Sequence, residues 1–293
     1  MADATPLTLA AGRLTATVWP HGATLARLAL DGVPVVVEPA APGGPGWAGA
    51  ICGRVANRLG RARAGDLRLV PNDGPHMLHG GHPGLSHRDW TVAAAAPDRV
   101  RLTVTSPAGE AGFPGTLTVT ADWALAAPAT LTLTLTARTD AAGPVNLCQH
   151  LYLNLAGAGT VDGHRLMTAA GRYLATDADL IPTGAVRSVE GTALDYRAPR
   201  AVGAHDATLI LGTARRAAPA FAARLEAAGR AVEVWTTEPA LHLYTGEHLP
   251  GAPRGGLCLE AMGRTDAPNH RHFPSVTLDP DRTYRQVTQF RFA

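Results

Sequence analysis

Alternation with a period of two is the feature that most limits what this chain can fold into. Residues 131–136 read Leu-Thr-Leu-Thr-Leu-Thr, which in an extended backbone puts three leucines on one face and three threonines on the other. Residues 101–105 (Arg-Leu-Thr-Val-Thr), 117–120 (Leu-Thr-Val-Thr) and 231–235 (Ala-Val-Glu-Val-Trp) behave similarly. A helix would scatter these apolar side chains around its axis; a strand gathers them on one face that must then be covered. Turn-forming clusters separate the runs, among them Asp31-Gly32, residues 39–46, residues 71–74 and Asp279-Pro280. Short one-faced strands joined by such turns predict antiparallel sheets packed face to face. No repeat, charge block or linker divides the sequence, so one large all-β domain over residues 1–293 is expected.

One segment pulls the other way. Residues 217–229 are alanine-rich, a helical composition. Phe221, Ala223 and Leu225 nevertheless alternate, and Ala228-Gly229-Arg230 makes a turn into residues 231–235, so a hairpin is expected.

Composition narrows the function classes. The formal net charge of +2 gives no electrostatic case for nucleic acid or an acidic membrane surface. Cys52, Cys148 and Cys258 are odd in number and widely spaced, and no CxxC pair suggests a zinc or redox centre. The first residues lack a basic, then apolar, leader, and no apolar run reaches the roughly 18 residues of a membrane helix. The expectation is a soluble cytoplasmic protein without nucleic-acid or membrane partners, with monomer and homodimer both open.

Five stretches carry polar residues that a plain sandwich does not need. Residues 53–58 (Gly-Arg-Val-Ala-Asn-Arg) place Asn57 beside Arg58, a set of donors suited to hydroxyl groups or a developing oxyanion; a solvated arginine ladder with Arg54, Arg61 and Arg63 is the plainer reading. Residues 76–87 hold His76, His79, His82 and His87. Their spacing lies in a glycine-containing turn and does not match a helix-borne ligand pair, so no metal is expected there. His79, followed by two glycines that let backbone approach a ligand, is the better candidate. In residues 146–155 alternation puts His150, Tyr152 and Asn154 on one face, either a polar binding wall or a buried hydrogen-bonded network. His242 and Tyr244 share a face, and Glu260 ends the apolar run 257–260; a carboxylate there needs a partner or a purpose.

Taken in order, these stretches resemble the aldose 1-epimerase family. The matching pieces are residues 53–58, 78–81 (Leu-His-Gly-Gly), 109–115, 146–157, 191–197, 234–239, 244–246, 259–260 and 273–274. The resemblance implies a large antiparallel β-sandwich of the galactose mutarotase-like type (a supersandwich) and a cofactor-free isomerase of carbohydrate metabolism. Its substrate would be a free monosaccharide, galactose, glucose or a pentose, whose α and β anomers interconvert. By matched position, His150 would be the general acid and Glu260 the general base. Asn57, Arg58, His79, Tyr152, His242 and an aspartate would bind the sugar; Asp206 is the better match for that aspartate and Asp195 the alternative. The sequence departs from the family pattern at Leu153, usually aromatic, at His242, where glutamine is common, and at Ala261-Met262 after the glutamate.

That chemistry suits these residue types. Opening a hemiacetal ring needs a base to take the C1 hydroxyl proton and an acid to protonate the ring oxygen, on opposite sides of the anomeric centre. No group or electron is transferred, and the chain has neither a GxGxxG fingerprint nor a P-loop. Two alternatives stand beside it: a hexose-6-phosphate 1-epimerase using Arg54 and Arg61 as an anion pocket, and a non-catalytic sugar-binding sandwich. A glycosidase would want a second carboxylate.

Overall fold

The computed structural model describes residues 5–293. Among these the only helical pieces are three-residue 3-10 turns, and every strand pair is antiparallel. The largest sheet has nine strands in the order Thr91–Ala96, Arg99–Ser106, Leu117–Ala126, Thr130–Thr139, Tyr284–Phe292, Arg230–Thr236, Ala220–Ala227, Arg165–Thr168 and Arg200–Ala201. A six-stranded sheet runs Tyr152–Leu153, Leu257–Met262, Ala240–Tyr244, Asp206–Ile210, Arg172–Thr176 and Pro182–Ser188. A four-stranded N-terminal sheet joins Leu7–Ala11, Leu14–Trp19, Thr24–Leu30 and Val33–Pro34.

The alternation read from the sequence decides which faces meet. Leu131, Leu133 and Leu135 are fully buried while the threonines between them are half-buried on the other face. These leucines share one core with Leu209, Leu241, Leu243, Leu257 and Leu259 of the six-stranded sheet. Each such side chain contributes roughly 1.5–3 kcal/mol on burial, so shifting one strand by a single residue would forfeit several at once. The apolar faces therefore pack inward, and the opposite face of the six-stranded sheet is left to carry polar residues.

The 217–229 segment is a hairpin. Ala220–Ala227 pairs antiparallel with Arg230–Thr236, and the turn residues Ala228 and Gly229 both have positive φ, 50° and 71°, the two-residue turn that matches strand twist. A bulge between Phe221 and Ala223 interrupts the expected alternation, so Phe221 meets Trp235 edge to face while Ala223 and Leu225 join the core.

Candidate active site

The polar face of the six-stranded sheet is built by the same period of two. On Leu257–Met262, Leu257, Leu259 and Ala261 enter the core, which leaves Cys258, Glu260 and Met262 for the other side. The register then forms two rows. Thr208, His242 and Glu260 are successive cross-strand partners, and so are Asp206, Tyr244, Cys258 and Tyr152.

Loops close over this face and make a half-open cleft. Its lining includes Asn57, Arg58, His79, His150, Tyr152, Asp206, His242 and Glu260. These eight residues are brought together from strands and loops far apart in the chain.

Two loops position the upper wall. Asn57 and His79 both sit in the left-handed region, φ 60° and 50°, and each backbone bonds the other segment: the His79 N–H donates to the Asn57 carbonyl at 3.0 Å, and the Asn57 N–H to His79 Nδ1 at 3.3 Å. Gly80 follows because nothing larger fits. A Cβ there would stand 2.0 Å from the Gly53 carbonyl oxygen. Arg54 pins this region from behind: its guanidinium donates to Ser106 Oγ and to the carbonyls of Ser106, Pro107, Pro114 and Gly115, all within 3.0 Å. Residues 109–115 are thus part of the scaffold. With those donors engaged inside the fold, and Arg61 exposed outside the cleft, the two arginines do not form an anion pocket.

The acid–base candidates lie on the floor. His150 Nε2 is 3.7 Å from Glu260 Oε1, with both side chains nearly buried. They are neighbours and not opposite walls, because His150 directly follows Cys148–Gln149, a strand that packs against Leu257–Met262. Beside them His242 Nε2 pairs with Asp206 Oδ1 at 3.0 Å, and Arg58 reaches Asp206 at 3.8 Å and Asp73 at 3.2 Å. Burial alone would neutralise His242, but its bond to Asp206 and the charges of Asp206 and Glu260 outweigh that and raise its pKa. Asp206 shows the complement: burial pushes it up, while His242, Arg58 and His150 bring it below the usual carboxylate value. Both shifts favour the ionised pair. His242 Nδ1 is also occupied, by Thr208 Oγ1 at 3.0 Å, so this ring offers the cleft charge and not a free N–H.

His79 is the opposite case. Burial, then the nearby His150, His242 and Arg58, hold it well below the ordinary imidazole range. Because its Nδ1 accepts from Asn57, the neutral ring carries its proton on Nε2, a donor available to a bound oxygen.

Several readings of individual residues change. Asn154 is not on the binding wall; its amide donates to the carbonyls of Gly159 and Gly255 at 2.9 and 2.8 Å and staples a turn. Asp195 lies outside the cleft, paired with Arg197 at 2.7 Å. The four histidines of residues 76–87 do not converge: only His79 enters the cleft, His76 lies 3.5 Å from Asp179, and His87 bonds Ser86. The cysteines form closer donor groups: one comprises Cys52, His79 and Cys148, the other His150, Cys258 and Glu260, each with atoms within 4.8 Å of one another.

Trp47, Tyr244 and His248 also line the cleft without having been singled out as binders. Trp47 stands 4.8 Å from His79 and 6.3 Å from His150 between ring centroids, on a loop that Tyr152 holds through a 3.1 Å bond from its hydroxyl to the Gly46 carbonyl. The available signal was a single tryptophan closing the Pro/Gly-rich stretch 39–46.

The aldose 1-epimerase family model matches residues 6–291. The chain belongs to the aldose 1-epimerase family. It is 36% identical over 272 residues to galactose mutarotase of Rattus norvegicus, covering 84% of this chain and 78% of that protein. Against aldose 1-epimerase of Escherichia coli K12 the identity is 32% over 275 residues, covering 83% and 79%. Among solved structures, an aldose epimerase homologue from C. elegans superposes with a TM-score of 0.92 at 29% identity, over 99% of each chain. The galactose mutarotase-like sandwich is therefore the fold, and the activity is that of an isomerase interconverting aldose anomers. No helix of the described residues is long and apolar enough to cross a membrane.

Proposed function

We propose that the chain acts as a single domain on a free pyranose seated in this cleft, with Glu260 as general base and His150 as general acid. The observation that carries the assignment is the 3.7 Å approach of His150 Nε2 to Glu260 Oε1 on the cleft floor. The hydroxyl oxygen that loses a proton and the ring oxygen that gains one are bonded to the same carbon, so an acid and a base standing side by side can each reach one of them. Glu260 takes the C1 hydroxyl proton while His150, as imidazolium, delivers a proton to the ring oxygen as the C1–O5 bond breaks. Rotation about C1–C2 presents the other aldehyde face, and the two transfers reverse.

The remaining residues hold the sugar. Asn57 and the Nε2–H of His79 act as neutral partners of ring hydroxyls, Arg58 and Asp206 as charged ones, and Tyr152 and Trp47 supply ring surface against the apolar face of the pyranose. His242 acts through Asp206, which it keeps ionised and oriented. Galactose and glucose are the first substrates to test, with xylose and arabinose next, because His242 replaces a neutral amide with a cation at the hydroxyl-binding end. We place the reaction in the cytoplasm, on a monomer or homodimer.

Polarimetry on freshly dissolved α-D-galactose and α-D-glucose tests the reading. Acceleration over the spontaneous rate is expected, with loss of most of it in Glu260→Gln. A rate equal to the protein-free control would leave only sugar binding. Full activity in Glu260→Gln would remove the base assignment.

A further inference from the structure

Three buried thiols, Cys52, Cys148 and Cys258, lie behind the floor of the cleft, and one of them touches the base. Cys148 Sγ lies 3.0 Å from Glu260 Oε2, the oxygen that does not face His150. Both residues are essentially excluded from solvent. We propose that Cys148 is a positioning residue for the epimerase reaction: its S–H holds the second oxygen of Glu260 and aims Oε1 at the anomeric centre. The inference rests on the assignment of Glu260 as base.

The direction of the bond follows from the surroundings. A carboxylate can only accept, so the sulfur must keep its proton. Burial, reinforced by Cys52 and by the charge of Glu260, pushes the Cys148 thiol well above its ordinary value, and the proton stays on sulfur. Around the contact the packing is apolar, with Cys52, Ala56 and Met262 in one cluster. A carboxylate oxygen left there without a donor would favour the neutral acid.

A thiol is also a fitting choice of donor. Arginine or a pair of backbone N–H groups at Oε2 would stabilise the anion strongly and blunt it as a base. An S–H is a weak donor: it satisfies the oxygen and fixes its direction while leaving Oε1 basic. The geometry is not a local accident of one strand. Cys148 and Glu260 are separated by more than a hundred residues and meet because Cys148–Gln149 pairs with Ile51–Cys52 and packs beside Leu257–Met262.

The test is the pH profile of kcat/KM for galactose mutarotation. In Cys148→Ala the acid limb, which reports ionisation of the base in the free enzyme, should move up by about 0.5–1 pH unit, the size of one lost modest hydrogen bond. KM on the plateau should be unchanged. Cys148→Ser restores a donor and should return the limb to the parent position or below it. Cys52→Ala, which disturbs the same cluster at the thiol opposite Cys148 across the strand pair, should leave the limb in place. Should the alanine variant not fold, Cys148→Val fills the volume without a donor and carries the same expectation.

A Cys148→Ala profile that superimposes on the parent overturns the proposal, and so does a serine variant shifted as far as the alanine one. Glu260→Gln, run alongside, keeps the two ideas apart. If it is inactive while Cys148→Ala is unshifted, only the thiol's role fails. If it is fully active, the base assignment fails first.

Discussion

His242 and Glu260 stand directly opposite each other on adjacent antiparallel strands. The imidazolium that fixes Asp206 and the carboxylate on the floor therefore belong to one cross-strand row, continued by Thr208 on the next strand. Side chains so placed are held by sheet register, which leaves little freedom for the chemistry to drift.

Removing either proton-transfer group should slow the chemistry and spare binding. Glu260→Gln and His150→Asn are each expected to lower kcat by about 10²–10⁴-fold, with galactose affinity by calorimetry within a few-fold of the parent. Equal losses in affinity would assign both residues a structural role.

The ion pair between His242 and Asp206 should govern sugar choice. Asp206→Asn removes an acceptor for a hydroxyl and strips His242 of its counter-charge, so KM should rise by about tenfold or more, the cost of a polar partner left unmatched. His242→Gln restores a neutral amide and should alter the ratio of kcat/KM between galactose and xylose. Identical ratios across four or five aldoses would separate His242 from specificity.

Trp47 tests the stacking wall. Trp47→Ala should raise KM by roughly three- to tenfold through loss of ring surface, with kcat at saturating sugar little changed. An unaltered KM would make the tryptophan a loop-packing residue only.

Gly80→Ala tests the loop that carries His79. The added Cβ meets the Gly53 carbonyl at 2.0 Å and sits at φ 87°, so the two loops must part. A loss of about 2 kcal/mol or more in chemical denaturation is expected, together with a raised KM. Native stability in this variant would mean that the loops can separate freely.

Acid should weaken the fold through His79. The folded state keeps this ring neutral, while the unfolded chain protonates it near its ordinary value of about 6.5. Below that value the unfolded state binds the extra proton, so stability falls as pH falls and this part of the loss is absent above it. Urea midpoints measured at pH 7.5 and 5.5 should drop less in His79→Gln than in the parent. Parallel drops would place the acid sensitivity elsewhere.

Much of the site is legible in the sequence. His150 and Tyr152 flank a leucine and both face the cleft; His242 and Tyr244 do the same two strands over. Glu260 on an apolar strand had to have a partner, and it has two. Asn154 continued the same alternation and yet left the wall, because the strand stops at Leu153 and the chain turns there. Alternation is a statement about extended backbone and holds only while the backbone stays extended. Trp47 lies in a loop with no period to read; it reaches the cleft through a bond from Tyr152 more than a hundred residues away.

The sequence by itself determined the antiparallel sandwich, the hairpin at 217–229 and the identity of the polar residues that face away from the core, since each follows from side-chain period and turn chemistry along a short stretch. Only the tertiary structure decided that His150 and Glu260 lie side by side, that His79 alone among four clustered histidines enters the cleft, that Arg54 clamps a scaffold loop and that a thiol sits under the base. Those are distances between segments far apart in the chain. They are set by sheet register and by which faces pack, and no local pattern encodes them.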